Sequence, residues 1–148
     1  MADIKVIIVE DNNTIRSGLE MLINGTPGYD CIRAYRDGET FLEEAEHYSA
    51  NVILMDIKLP GISGIDCIRQ VKKINPQVNI LMLTVYEDNK HIFEALCMGA
   101  CGYLVKNTPP SRLLEAIKDA CDGGSPMTSR IARKVINLLH QNKKTPVE

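Results

Sequence analysis

The sequence lacks a strong charge bias, a long apolar run and any cysteine pattern suited to a metal. Its 148 residues carry 17 Lys and Arg against 19 Asp and Glu, a net charge of −2. That balance argues against nucleic-acid binding by the chain as a whole, because neutralising phosphates needs an excess of basic residues. The longest uncharged apolar stretch, Ala95 to Val105, has 11 residues and two glycines. A bilayer span needs about 20 residues, so no membrane partner is expected. The first residues, Met-Ala-Asp-Ile-Lys, carry no basic region before an apolar core, so a signal peptide is not expected and a cytoplasmic location is. The five cysteines (Cys31, Cys67, Cys97, Cys101, Cys121) are odd in number and form no CxxC pair. They read as small apolar residues in a reducing compartment. His47, His91 and His140 are too scattered for a zinc site. No internal repeat or low-complexity segment is visible. At 45% hydrophobic and 24% charged residues the composition is globular. A chain of this length buries roughly 70% of its unfolded surface and needs no disulfide or metal to fold.

What is present is alternation. Ile4 to Val9 reads as a buried strand, β-branched at nearly every position. Ile15, Leu19, Leu22 and Ile23 then recur on one helical face, until Gly25 to Gly28 breaks it. Tyr29 to Tyr35 is a second strand, and Asp37 caps a second helix through about His47. Val52 to Met55 is a third strand. Leu59-Pro60-Gly61 forces a loop, and Ser63 to Asp66 fits a capping box for a third helix to about Ile74. Asn75-Pro76 stops it. Val78 to Leu83 is a fourth strand, Asp88 to Met98 a fourth helix, and Gly102 to Val105 a short fifth strand. Thr108 as cap and Pro109 at the first helical position begin a fifth helix, ended by Gly123-Gly124. This pattern predicts an α/β fold, a doubly wound five-stranded parallel sheet with helices on both faces. Such a sheet places its site at the carboxyl ends of the strands.

The residues gathered there are unusual as a set. Strand one runs into Glu10-Asp11 and strand three into Asp56; strand four ends at Thr84 and strand five runs into Lys106. Singly, each has a plain reading: a solvated loop acid, a surface lysine, a common strand-end threonine. Three carboxylates packed together repel one another and raise at least one pKa unless a cation joins them. Mg2+ takes one or two carboxylates, waters and phosphate oxygens. The set suits a phosphoryl group attached to a carboxylate. Asp56 is then the nucleophile, the metal and Lys106 share the negative charge, and Thr84 holds an oxygen.

Glu-Asp at 10–11, Met-Asp-Ile-Lys-Leu-Pro-Gly at 55–61, Leu-Thr at 83–84 and Gly-Tyr-Leu-Val-Lys at 102–106 resemble the receiver domain of two-component response regulators, over about residues 3 to 122. The resemblance implies a flavodoxin-like fold with strand order 2-1-3-4-5. It implies phosphorylation of Asp56 by a sensor histidine kinase with Mg2+. By that resemblance Asp11 and Asp56 bind the metal directly, Glu10 acts through water, and the backbone carbonyl of Lys58 is a further ligand. Tyr103 matches the family's switch aromatic. It would turn inward as Thr84 is drawn to the phosphoryl group, reshaping the surface of helix 4, strand 5 and helix 5. The resemblance also implies a domain that promotes its own phosphorylation and dephosphorylation only and is not otherwise an enzyme.

Departures from the family pattern bear on detail. Asn107 stands where the family often has Pro, which leaves the isomer of the Lys106–Asn107 peptide open. Lys58 and Tyr86 occupy the variable positions two beyond Asp56 and Thr84, where long side chains can screen a phosphoryl group and slow its hydrolysis. A haloacid-dehalogenase-like phosphatase is the enzymatic rival, but it needs an acid where this chain has Lys58. A flavodoxin needs a Ser/Thr/Gly-rich phosphate loop where this chain has Glu10-Asp11.

After the receiver-like part (1–122), residues 123–148 read as a linker with an amphipathic helix at about 128–140 and a frayed tail. Ile131, Val135, Leu138 and Leu139 share one face, with Arg130, Arg133 and Lys134 among them. Gly-Gly-Ser-Pro followed by such a helix resembles the linker of NarL/FixJ-type regulators, in which a DNA-binding domain follows. That implies a transcriptional regulator that dimerises when phosphorylated and meets DNA only through an output domain outside this chain. A stand-alone receiver acting by protein–protein contact is the other reading. Either way the helix's apolar stripe needs cover.

Overall fold

Strand residues Val6 to Val9, Val52 to Met55 and Ile80 to Thr84 are buried on both sides, so they fit only a sheet covered on both faces. The computed structural model describes residues 2–144. In chain order the elements are β1 (Ile4–Val9), α1 (Asn13–Asn24), β2 (Tyr29–Tyr35), α2 (Gly38–Glu44), β3 (Val52–Met55), α3 (Gly64–Ile74), β4 (Asn79–Thr84), α4 (Asn89–Met98), β5 (Gly102–Val105), α5 (Pro110–Cys121) and α6 (Ser129–Lys144). The five strands are parallel, in the order β2-β1-β3-β4-β5. This is the doubly wound, flavodoxin-like arrangement expected from the sequence.

Side chains of each strand alternate between two cores. Val6, Ile8, Leu54, Leu81 and Leu104 pack with Ile23 of α1 and Leu113 and Ile117 of α5. Ile7, Val9, Met55, Met82 and Tyr103 pack with Phe41, Ile68 and Ile92 of α2, α3 and α4. Ile131 of α6 joins this second core and is wholly buried. No helix among the described residues is long and apolar enough to cross a membrane.

Four local expectations change. The second helix ends at Glu44 rather than His47, because Ala45 and His47 donate to carbonyls three residues back and the chain tightens into turns. The fourth strand starts one residue later than the apolar pattern suggests, at Asn79, and ends at Thr84. Thr108 does not cap α5: its hydroxyl donates to the Val105 carbonyl (2.6 Å), and Pro109 holds the cap position with no side-chain bond. The sixth helix has 16 residues rather than about 12 and runs to Lys144. Gln141 and the lysines after it are good helix formers, so the backbone stays helical once Ile131 and Val135 anchor it. The part of the tail at 145–148 lies outside the described residues.

Candidate functional site

The strand registers bring the expected residues together. Val9 lies opposite Met55, Met55 opposite Met82, and Thr84 opposite Val105. Glu10 and Asp56 therefore leave the sheet side by side, and the Asp56 amide donates to the Val9 carbonyl (3.2 Å). The Lys106 amide donates to the Thr84 carbonyl (3.0 Å), which fixes the start of the lysine on the neighbouring strand. Among the described residues, the buried polar or charged ones are Glu10, Asp56 and Thr84, all at this end of the sheet. Burying polar groups is costly without partners, so their concentration in one place marks it for a role other than packing.

The partners are specific. The Lys106 Nζ donates to Asp56 Oδ2 (2.7 Å) and pairs with Glu10 Oε1 (2.7 Å), bridging the two acids. Asp56 Oδ1 accepts from the Ile57 amide (2.7 Å), and Glu10 Oε2 from the Asn12 amide (3.0 Å). Burial pushes the Glu10 carboxyl above its ordinary range, and the nearby Asp56 charge adds to that, against the lysine and amide bonds. Burial works to lower the Lys106 pKa, but its bonds to Asp56 and Glu10 outweigh this and raise it.

Asp11 is exposed at the rim, and one carboxylate oxygen from each of Glu10, Asp11 and Asp56 lies within 4.8 Å of the others. Three carboxylates against one ammonium leave two negative charges in excess, all on hard oxygen donors. That donor set fits a divalent cation of the Mg2+ type. It is the cluster of this kind found among the described residues. Lys58 extends an exposed side chain, and its carbonyl takes part in no hydrogen bond among the described residues. The Cys31 and Cys67 thiols are not rivals: burial pushes both up to about 12, far from nucleophilic range.

Around Thr84 the contacts run outward. Its Oγ1 accepts from the Tyr86 amide (3.4 Å), and the Tyr86 carbonyl accepts from the Tyr103 hydroxyl (2.6 Å). Tyr103 is already turned inward with no exposed surface, so the inward turn expected to accompany a phosphoryl group is in place beforehand, and burial raises its pKa strongly. The Tyr86 ring leans on His91, centroids 4.6 Å apart, and His91 Nδ1 lies 2.7 Å from Asp88 Oδ1. The Lys106–Asn107 peptide is trans, as are all the described peptide bonds.

The surface expected to be reshaped on switching, that of α4, β5 and α5, is not free. The chain after α5 runs along β5, and α6 packs against α4. Several residues of consequence escape a reading of motifs. A side chain at Gly64 would strike the Asp56 carbonyl, so this glycine lets α3 start against the backbone of the acid; only its place at the opening of a helix hinted at this. Glu87, Arg130 and Lys134 meet across more than 40 positions, and no local signal links them.

Known proteins agree with this architecture. A family model described as the response regulator receiver domain matches residues 6–118. The transcriptional regulatory protein LnrK of Bacillus subtilis (strain 168) is 31% identical over 140 residues, which cover 95% of this chain and 64% of that protein. The transcriptional regulatory protein DegU of Brevibacillus brevis is 30% identical over 133 residues, covering 90% of this chain and 56% of that protein. The chain thus spans less than two thirds of the length of these curated relatives. The crystal structure of a LuxR-family two-component response regulator from Aurantimonas sp. SI85-9A1 superposes with a TM-score of 0.84 at 26% identity, over 92% of this chain and 97% of that one. With its parallel sheet, its strand-end acids and these relatives among transcriptional regulators, the chain belongs to the response regulator receiver domain family of two-component systems.

Proposed function

We propose that the chain is a phosphorylation switch in which Asp56 accepts a phosphoryl group from the phosphohistidine of a sensor kinase. The observation that carries this reading is the buried Asp56 carboxylate, bridged to Glu10 by Lys106 beside a free excess of negative charge. In the transfer an Asp56 oxygen bonds to phosphorus, the phosphorus–nitrogen bond breaks, and the imidazole leaves. Mg2+, held by Asp11, Asp56 and the Lys58 carbonyl with Glu10 acting through water, would offset charge on the phosphoryl oxygens. Lys106 turns from the carboxylates toward the new group, and the Thr84 hydroxyl donates to one of its oxygens. Tyr86 and Lys58 stand two residues beyond Thr84 and Asp56 and set how readily water reaches the acyl phosphate. Because Tyr103 is tied to Tyr86, a shift of Thr84 is passed to β5 and α4.

Residues 1–122 act as the receiver and 123–148 as the link to a DNA-binding output domain. Copies of the phosphorylated receiver pair through α1 and α5. That side carries an open groove of about 270 Å³ lined by Ile15, Leu19, Leu22 and Leu113, whereas α6 covers the α4 side. Incubation with acetyl phosphate and Mg2+ tests the reading. A mass gain of one phosphoryl group, absent in Asp56→Asn, is the expected result. No gain under conditions that label another receiver would overturn it.

A further inference from the structure

The segment after α5 is built onto β5 and does not merely follow it. The Tyr103 amide donates to the Pro126 carbonyl (3.0 Å) and the Thr128 amide to the Tyr103 carbonyl (3.3 Å), which pairs Met127 with Tyr103 in parallel. Thr128 Oγ1 accepts from the Val105 amide (3.3 Å). A side chain at Gly102 would run into the Pro126 carbonyl and Leu81, so the strand opens with the one residue that lets the segment pass. Ile131 then plugs into the core.

From this anchor α6 grips a single residue of the β4–α4 loop in two ways. Arg130 pairs with the Glu87 carboxylate, and Lys134 Nζ donates to the Glu87 carbonyl (2.7 Å). Glu87 directly follows Tyr86, whose amide reaches Thr84 and whose carbonyl holds Tyr103. Two consecutive loop positions, Tyr86 and Glu87, thus connect the site hydroxyl, the buried tyrosine and α6.

We propose that α6 is a clasp on the β4–α4 loop, latched through Glu87, that lets go of the α4 face when Asp56 is phosphorylated. The inference rests on the switch proposed above. Once the Thr84 hydroxyl turns to a phosphoryl oxygen, the Tyr86 amide loses its acceptor and the loop shifts relative to β5. The start of α6 is tied to β5 by backbone bonds and cannot follow. The Arg130–Glu87 pair is the looser tie, since the Arg130 side chain is largely exposed, so it parts first and the Lys134 bond follows. Release separates the apolar faces of α4 and α6, exposing Phe93 and Leu96 on α4 and Val135 and Leu138 on α6, which now line one groove of about 230 Å³.

Amide hydrogen exchange on the full chain, with and without beryllofluoride and Mg2+, tests the clasp. Residues 84–90 should change, and residues 129–141 should exchange faster by on the order of tenfold, a common size for coupling between sites. Neither change should occur in Asp56→Asn. A change at 84–90 with none at 129–141 overturns the clasp and leaves the switch standing; no change at either overturns both. Glu87→Arg should speed exchange in α6 without beryllofluoride, and adding Arg130→Glu should restore protection. By reciprocity Glu87→Arg should also tighten beryllofluoride binding by the same factor. An α6 indifferent to Glu87→Arg overturns the latch.

Discussion

The acidic pocket and the α6 clasp are both closed by a basic residue on an acid, yet they sit at opposite ends of the exposure scale. In the pocket the side chains of Lys106, Glu10 and Asp56 are 17%, 3% and 7% exposed; in the clasp Arg130 and Glu87 are 72% and 32% exposed. Removing one member of a buried pair leaves an uncompensated charge and is expensive, whereas an exposed pair contributes little to stability. The pocket therefore suits a permanent charge arrangement that a phosphoryl group can exploit. The clasp suits a contact that must break and re-form.

Substitutions should separate the two regions by size of effect. Lys106→Met should destabilise the fold most, by about 3 kcal/mol or more, because Glu10 and Asp56 are left facing each other without a cation. The pH dependence sharpens this. The Lys106 pKa lies above its ordinary value of 10.5, so its contribution is complete below that pH and is lost as pH rises through the raised value. Denaturant titrations should show the gap between wild type and Lys106→Met widest near neutral pH and closing in strong alkali, as the lysine loses its proton, as well as in acid, as the carboxylates gain theirs. Ile131→Ala should cost about 2 to 3 kcal/mol by opening a cavity under α6. Labelling by acetyl phosphate should survive it, which a pocket substitution would not allow.

Mg2+ should act on the pocket alone. The Glu10 carboxyl is raised by burial, so its ionisation costs stability as pH rises past the acid range, and a cation offsets that cost. At ten times its dissociation constant Mg2+ should add about 1.4 kcal/mol, read as a higher melting temperature at neutral pH. A melting temperature indifferent to Mg2+ would deny the pocket its metal. Smallest of all, Glu87→Gln should change global stability by less than about 1 kcal/mol, because its partner is exposed. A loss as large as that of Lys106→Met would erase the distinction between pocket and clasp.

The pocket was legible in the sequence and the clasp was not, for a physical reason. Buried strands announce themselves by β-branched runs, and a doubly wound sheet sends their carboxyl ends to one edge. Glu10, Asp11, Asp56, Thr84 and Lys106 could therefore be placed by position alone. The cap at Thr108 failed because its hydroxyl had a nearer acceptor in Val105. The amphipathic stripe of α6 was visible, but a stripe says only that cover is needed. That its cover is α4, with Glu87 as the point of attachment, depends on contacts across more than 40 residues and on the small size of Gly102.

The central claim, a phosphoryl group carried as an acyl phosphate on Asp56, can be read directly. After incubation with acetyl phosphate and Mg2+, borohydride reduction converts an aspartyl phosphate to homoserine, which peptide mass spectrometry locates. Homoserine in place of Asp56, and at no other aspartate, is the predicted result. Phosphoryl transfer without reduction at Asp56, or reduction at a different carboxylate, would contradict the account.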